Sequence, residues 1–228
     1  WIITYSDRLG TGPESLDTTI KRCYIFLMPR TRRLTHPGAF HHVFNRSLNQ
    51  RQIFTQDRDY EKFLDKLEDL LKELDFILYS YVLLPTHFHI LIETGKTPLS
   101  KIMSRLLTSY AVYFNKKHQG RGPIFEERYK SRLVQKDAYF LTLSRYIHLN
   151  PVKAGLAKDP ALYPYSSFSE IIDRSPPRLI AKEKVVRLIG DSDYSLKSYQ
   201  EFVYAGIKLD LAEHDPWLKP KAIIGPEG

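Results

Sequence analysis

Leu84-Pro85-Thr86-His87-Phe88-His89-Ile90-Leu91-Ile92 sets two histidines one residue apart at the start of an apolar run. Strand side chains alternate between faces, so His87 and His89 project from one side and Phe88 from the other. Two strand steps separate their Cα atoms by roughly 6.5–7 Å, from which two imidazoles can converge on one metal ion. The same pair also suits two structural or surface histidines, and alone it does not choose. Phe76 to Leu84 is rich in β-formers, Pro85-Thr86 is a tight connection, and His87 to Glu93 is the predicted hairpin partner.

Outward from this hairpin the periodicity changes. On the N-terminal side, Asp57 to Leu74 carries Tyr60, Phe63, Leu64, Leu67, Leu70, Leu71 and Leu74 at helical spacing, with Asp57 as the expected N-cap. Before it, Pro37-Gly38 introduces a strand over 39–47. On the C-terminal side, Thr97-Pro98 predicts an N-cap and first helical residue for a helix reaching about His118 and stopping at Gly120. A last strand is expected over 128–135 and a helix over 137–149. The order strand, helix, strand, strand, helix, strand, helix predicts an α+β fold, a ferredoxin-like sandwich with a largely antiparallel sheet and helices packed on it. After Gly155 the prolines 160, 164, 176 and 177 mark a loop-rich stretch, with short helices expected near 182–189 and 195–206. Residues 158–228 therefore read as a small helical C-terminal appendage to a main domain at 28–157. The first 27 residues show no period, and Met28 resembles a natural start, so 1–27 read as an extension outside the core.

At 228 residues and 43% hydrophobic, the chain can bury one sizeable core. Its net charge of +8 favours a polyanionic partner. Residues 28–51 hold five arginines (Arg30, Arg32, Arg33, Arg46 and Arg51) and no acid. Residues 116–136 hold seven basic residues, among them Arg121, Arg128, Lys130 and Arg132, against Glu126 and Glu127. Phe40, Phe44, Phe125 and Tyr129 lie among these charges, a mixture that suits phosphate contact and base stacking. A single cysteine, Cys23, excludes an internal disulfide framework and a cysteine zinc cluster. No apolar run approaches the ~18 residues of a membrane span, and the expected setting is reducing and cytoplasmic.

The helix at 137–149 carries its apolar stripe on Phe140, Leu143 and Ile147. At ~100° per residue, Tyr146 and Asn150 lie about 40° apart on its flank. If this helix packs on the histidine face, a phenol and an amide oxygen address the point that His87 and His89 address. Pro151 disfavours helical geometry at Asn150, which predicts that the amide sits at the helix end. His41 and His42 are adjacent on a strand and point to opposite faces, as structural or DNA-proximal residues. His148 falls away from the Tyr146 flank.

Three separated segments together resemble the REP-associated tyrosine transposases, which belong to the HUH single-tyrosine transposases of insertion sequences. They are the Leu84–Ile92 stretch, Arg145-Tyr146-Ile147-His148-Leu149-Asn150-Pro151-Val152-Lys153-Ala154-Gly155-Leu156, and Tyr163-Pro164-Tyr165-Ser166-Ser167. The likeness extends to Pro37–Arg46 and Phe125–Ser131, and departs at Ser47, where glycine is common, and at Thr86, where asparagine is common. It implies an enzyme that cleaves and rejoins single-stranded DNA beside hairpin-forming palindromes through a 5′-phosphotyrosine intermediate. Tyr146 would be the nucleophile, His87 and His89 the metal-binding pair with Asn150 as third ligand, and Mg²⁺ or Mn²⁺ the cofactor. Arg30, Arg32, Arg33, Arg46, Arg51, Arg121, Arg128, Lys130 and Arg132 would grip the DNA; a monomer is preferred over the alternative homodimer, because the C-terminal segment can cover the surface a dimer would use. Two other readings fit the same residues: a non-catalytic binder of structured DNA, and a metal-dependent phosphoesterase with no covalent step.

Overall fold

The computed structural model describes residues 36–134, 138–173, 177–190 and 193–208. The expected N-terminal extension, and with it Arg30, Arg32 and Arg33, lies outside the described residues. Strand β1, Ala39–Arg46, follows Gly38, whose φ of 80° makes the turn and whose N–H donates to the Thr94 carbonyl at 2.6 Å. Helix α1, Asp57–Glu73, buries Tyr60, Phe63, Leu64, Leu67 and Leu70. Its N-cap is Gln56, one residue earlier than expected, because the Asp59 carboxylate accepts from the Gln56 and Thr55 N–H groups. Strands β2, Phe76–Leu84, and β3, His87–Thr94, meet at Pro85-Thr86 with Leu84 opposite His87. Helix α2, Leu99–Lys117, starts after Pro98, which keeps an extended ψ of 139° and is itself the N-cap. Strand β4 spans Lys130–Val134, shorter than its pattern suggested.

The four strands lie in the order β2-β3-β1-β4 with every pairing antiparallel. This is the ferredoxin-like arrangement. Register decides the faces. Phe44 stands opposite His89 and Arg46 opposite His87, while on β4 Lys130 faces Phe44 and Arg132 faces His42. The other face carries Val43, Phe88, Ile90 and Ile92, all fully buried. Helices α1 and α2 cover it, with the Phe63 ring 5.2 Å from Phe88 and 5.1 Å from Tyr110. Each such buried side chain contributes about 1.5–3 kcal/mol. Helix α3, Ala138–Lys153, crosses the histidine face, where Phe140 packs edge-on at 5.9 Å from Phe40 and 5.4 Å from Tyr79.

The chain after α3 closes the free edge of β2. Leu83 N–H donates to the Tyr165 carbonyl at 2.9 Å, Ser167 N–H to Tyr81 at 3.0 Å and Ala181 N–H to Leu78 at 2.9 Å. An open strand edge would otherwise template pairing with another chain. Three helices follow: α4 (Phe168–Ile172), which the sequence reading did not expect, and α5 (Lys182–Ile189) and α6 (Asp193–Ala205), both close to the expected positions. Phe168, Ile171, Val185, Tyr199 and Val203 enter the same hydrophobic core as the sheet. The Arg178 guanidinium donates to Glu61 at 2.6 Å and Asp65 at 2.7 Å on α1. Among the described residues no helix is long and apolar enough to cross a membrane.

Candidate active site

Both histidines of the hairpin face α3, as strand alternation requires. Their rings lie 5.3 Å apart and perpendicular. His87 is half-buried at the rim, its Nδ1 at 3.0 Å from the Thr86 hydroxyl. His89 is fully buried. Its Nδ1 is 3.0 Å from Nε2 of His42, and its own Nε2 is a buried nitrogen with no hydrogen-bond partner. Burial above all, then the neighbouring His42 and His87, hold His89 well below the usual imidazole range. Burial, then the Arg132 guanidinium, lowers His42 to about 3. At neutral pH both rings are uncharged.

Helix α3 brings Tyr146 to this point. Its ring is 5.5 Å from His89 and 6.3 Å from His42, perpendicular to the first, and only 3% exposed. The Lys153 ammonium lies 5.2 Å from the Tyr146 ring centroid. Asn150 follows one turn later, but not at a helix end. The helix continues through Pro151 to Lys153 and stops before Gly155, which takes φ 68°. The expected break fails because the preference against helix before proline is small beside the burial of Ile147, Leu149 and Asn150. The Asn150 amide nitrogen donates to the Tyr146 carbonyl at 2.7 Å. That bond commits the nitrogen, so the oxygen is what Asn150 can present.

The opposite flank of α3 is fixed by other parts of the chain. His148 Nε2 is 3.1 Å from the Ser167 hydroxyl, and its Nδ1 is 2.9 Å from the Tyr199 hydroxyl. Tyr199 also meets Ser144 at 2.7 Å. A methyl group on Gly206 would lie 2.7 Å from Arg145 Cδ and 2.8 Å from Leu149 Cδ1, so glycine allows the chain to approach α3 here. His148 is therefore a packing residue, as its place on the helix suggested.

Of the predicted basic residues, Arg46, Lys130 and Arg132 share the histidine face. Arg46 pairs with Glu126, and Lys130 with Glu127 at 2.8 Å. Arg51 lies beside the 120–129 loop, donating to the Pro123 carbonyl at 2.9 Å, and Arg121 and Arg128 are exposed in that loop. The aromatic residues expected among them to stack on bases are mostly interior: Phe40, Phe44 and Tyr129 are 3%, 1% and 5% exposed. The alternation of Phe40 and Phe44 along β1 marks a core face. His42, read from the sequence as structural or DNA-proximal, lies beside His89 at the site.

Among the described residues no three His, Cys, Asp or Glu side chains form a metal site of their own. The structure instead brings two imidazoles and a phenol together on one face, with the Asn150 amide one turn further along the same helix. Residues 37–150, half of the chain, match the family described as IS200-like transposases. A solved structure of a REP-associated tyrosine transposase bound to a REP hairpin is similar in fold, with TM-score 0.54 and 20% identity over 64% of this chain and 87% of that one. A candidate transposase from Deinococcus radiodurans R1 matches at TM-score 0.37 and 16% identity, over 53% of this chain and 95% of that one. Comparison with curated proteins gives no match. The matched span takes in the histidine pair, Tyr146 and Asn150, and the chain belongs to the IS200-like transposase family.

Proposed function

We propose that the protein is a metal-dependent transposase that cleaves and rejoins single-stranded DNA next to hairpin-forming palindromes, through a 5′-phosphotyrosine intermediate on Tyr146. The observation that carries this reading is the convergence of His87, His89 and Tyr146 on one face, with ring separations of 5.3 and 5.5 Å. The hairpin-bound relative supports the choice of DNA partner.

The residues present fit a divalent cation. His89 Nε2 is buried without a partner, and His87 and the Asn150 oxygen complete a nitrogen and oxygen donor set suited to Mn²⁺ or Mg²⁺. A bound cation would supply Lewis-acid stabilisation of charge on the scissile phosphate. Tyr146 Oη forms the new bond to phosphorus while the bond from phosphorus to the 3′-oxygen breaks. The phenol gives up its proton as it attacks, and the leaving 3′-oxygen takes one. One phosphodiester is exchanged for another, so rejoining needs no ATP. Arg46, Lys130 and Arg132 on the same face would hold backbone phosphates, joined by Arg51, Arg121, Arg128 and by Arg30, Arg32 and Arg33 upstream. Within one chain the Tyr146 ring comes to 5.5 Å from His89, which supports a site that works within a monomer.

The test is incubation with labelled single-stranded hairpin oligonucleotides from the protein's own genomic flanks, with Mn²⁺ or Mg²⁺, read on a denaturing protein gel. A metal-dependent covalent adduct that Tyr146→Phe abolishes is the expected result. Cleavage that survives Tyr146→Phe without an adduct would replace this reading with a phosphoesterase. Retarded but uncut DNA, unchanged in His87→Ala and Tyr146→Phe, would replace it with a binder.

A further inference from the structure

Position 42 lies on the same face of β1 as Phe40 and Phe44, and all three side chains are nearly fully buried. At 40 and 44 the sequence fills that face with hydrocarbon. At 42 it buries an imidazole instead, which is unfavourable unless the ring nitrogens are used. The His42 ring stacks 5.2 Å from His89 at 25°, and its Nε2 meets His89 Nδ1 at 3.0 Å. Phe44 at 5.0 Å and the edge of Tyr146 at 6.3 Å hold its orientation.

Between two imidazoles with one N–H each, this contact has two arrangements. If His42 Nε2–H donates to His89 Nδ1, the His89 proton must sit on Nε2, a buried N–H without an acceptor. If His89 Nδ1–H donates to His42 Nε2, the His89 Nε2 lone pair faces outward from the contact. Only the second arrangement makes His89 a ligand. We propose that His42 is a positioning residue for His89: its Nε2 accepts the His89 Nδ1 proton and so fixes the tautomer and ring angle in which His89 Nε2 can bind a divalent cation. This rests on the reading of His89 as a ligand. A hydrogen-bond acceptor behind a metal-binding histidine sharpens both its orientation and its basicity.

Two measurements on the DNA-free protein test it. Nitrogen-detected imidazole NMR of the parent, with His42 and His89 assigned by substitution, is expected to show the His89 proton on Nδ1; a proton on Nε2 overturns the proposal. Mn²⁺ affinity, read from the EPR signal of free ion, is expected to fall about 10- to 100-fold in His42→Phe. In His42→Gln, whose amide oxygen accepts the same proton, it should return to within a few-fold of the parent. Parent-like Mn²⁺ binding in a folded His42→Phe protein, with binding lost in His89→Ala, overturns the role of His42 alone. Mn²⁺ binding that His89→Ala leaves untouched, or a parent that binds no Mn²⁺, overturns the ligand reading and this proposal with it. Should His42→Phe fail to fold, the NMR result and the His42→Gln affinity decide.

Discussion

Removing one oxygen atom, in Tyr199→Phe, should loosen the helix that carries Tyr146. The Tyr199 hydroxyl is buried between Ser144 at 2.7 Å and His148 Nδ1 at 2.9 Å. Burial lowers His148 to about 3, so it is neutral, and one consistent proton order runs through the cluster. Ser144 donates to Tyr199, Tyr199 to His148 Nδ1, His148 Nε2–H to Ser167, and Ser167 to the Tyr81 carbonyl at 3.3 Å. The chain of bonds links α6 to α3 and α3 to β2. Tyr199→Phe breaks two bonds, each with a net value of about 0.5–1.5 kcal/mol, and strands His148 Nδ1 as an unsatisfied buried acceptor. Ser144 recovers part of its loss by turning to a carbonyl one turn back along its own helix.

The sum is about 2–3 kcal/mol, which for a domain of this size lowers Tm by about 5–10 °C. Calorimetry or far-UV circular dichroism reads the shift directly. A cycle with Ser144→Ala refines it: the double variant should be less destabilised than the two single losses added, because both remove the same bond. A fall in Tm below about 1 °C, or strict additivity in the cycle, would refute the reasoning, since either would mean that this hydroxyl does not tie α6 to α3.

Stability should fall with acid well before the carboxylates titrate. His41 is lowered to about 4, His42 and His148 to about 3, all mainly by burial, and burial likewise holds His89 well below the usual imidazole range. Below pH ~6.5 the unfolded chain takes up protons that the folded one refuses, so each such histidine shifts the folding equilibrium about tenfold per pH unit. Urea midpoints between pH 7.5 and 5 check this, and a flat profile would contradict it. Asp59→Ala should cost about 2–4 kcal/mol in the same urea assay. Its fully buried carboxylate accepts from Thr55, Gln56, Tyr113 and Lys117 and clamps α1 to α2, while the partly exposed Lys117 keeps the loss at the lower end. Arg132→Ala should weaken binding to single-stranded hairpins roughly uniformly across sequences and flatten the plot of log affinity against log salt by about 0.7–0.9. An unchanged salt slope would remove Arg132 from the phosphate contacts.

The sheet and its helices were legible because they depend on short-range pattern. Alternation at His87-Phe88-His89 and the three-and-four spacing of Tyr60, Phe63, Leu64 and Leu67 survive into the structure unchanged. His42 was not legible in the same way. Its place on the Phe40 and Phe44 face follows from alternation, but the strand that face meets, and in what register, is fixed by pairing across about fifty residues. Only with Phe44 opposite His89 does His42 reach Nδ1. The basic and aromatic interleaving misled for the converse reason: composition records which residues are near in sequence, while the strand sends Phe44 inward and leaves Arg46 at the rim. Pro151 shows a local preference overruled by the packing of the helix it interrupts.

One property of α3 joins the site to the fold. Tyr146 and Asn150 lie on one flank, and Ser144 and His148, each two residues from Tyr146, lie about 200° around the helix from it. Of the first pair, Tyr146 faces the histidines of β3 and β1. The second is bonded to Tyr199 and Ser167, from segments far along the chain. For the nucleophile proposed at Tyr146, being held from behind is a gain, since a shift of the helix by an ångström would misalign an in-line attack. The stretch after Gly155 thus does more than cover the edge of β2. It holds the helix from the side opposite Tyr146, and the spacing of two residues between Ser144, Tyr146 and His148 is what allows one helix to be gripped on one side and to turn its tyrosine toward the histidines on the other.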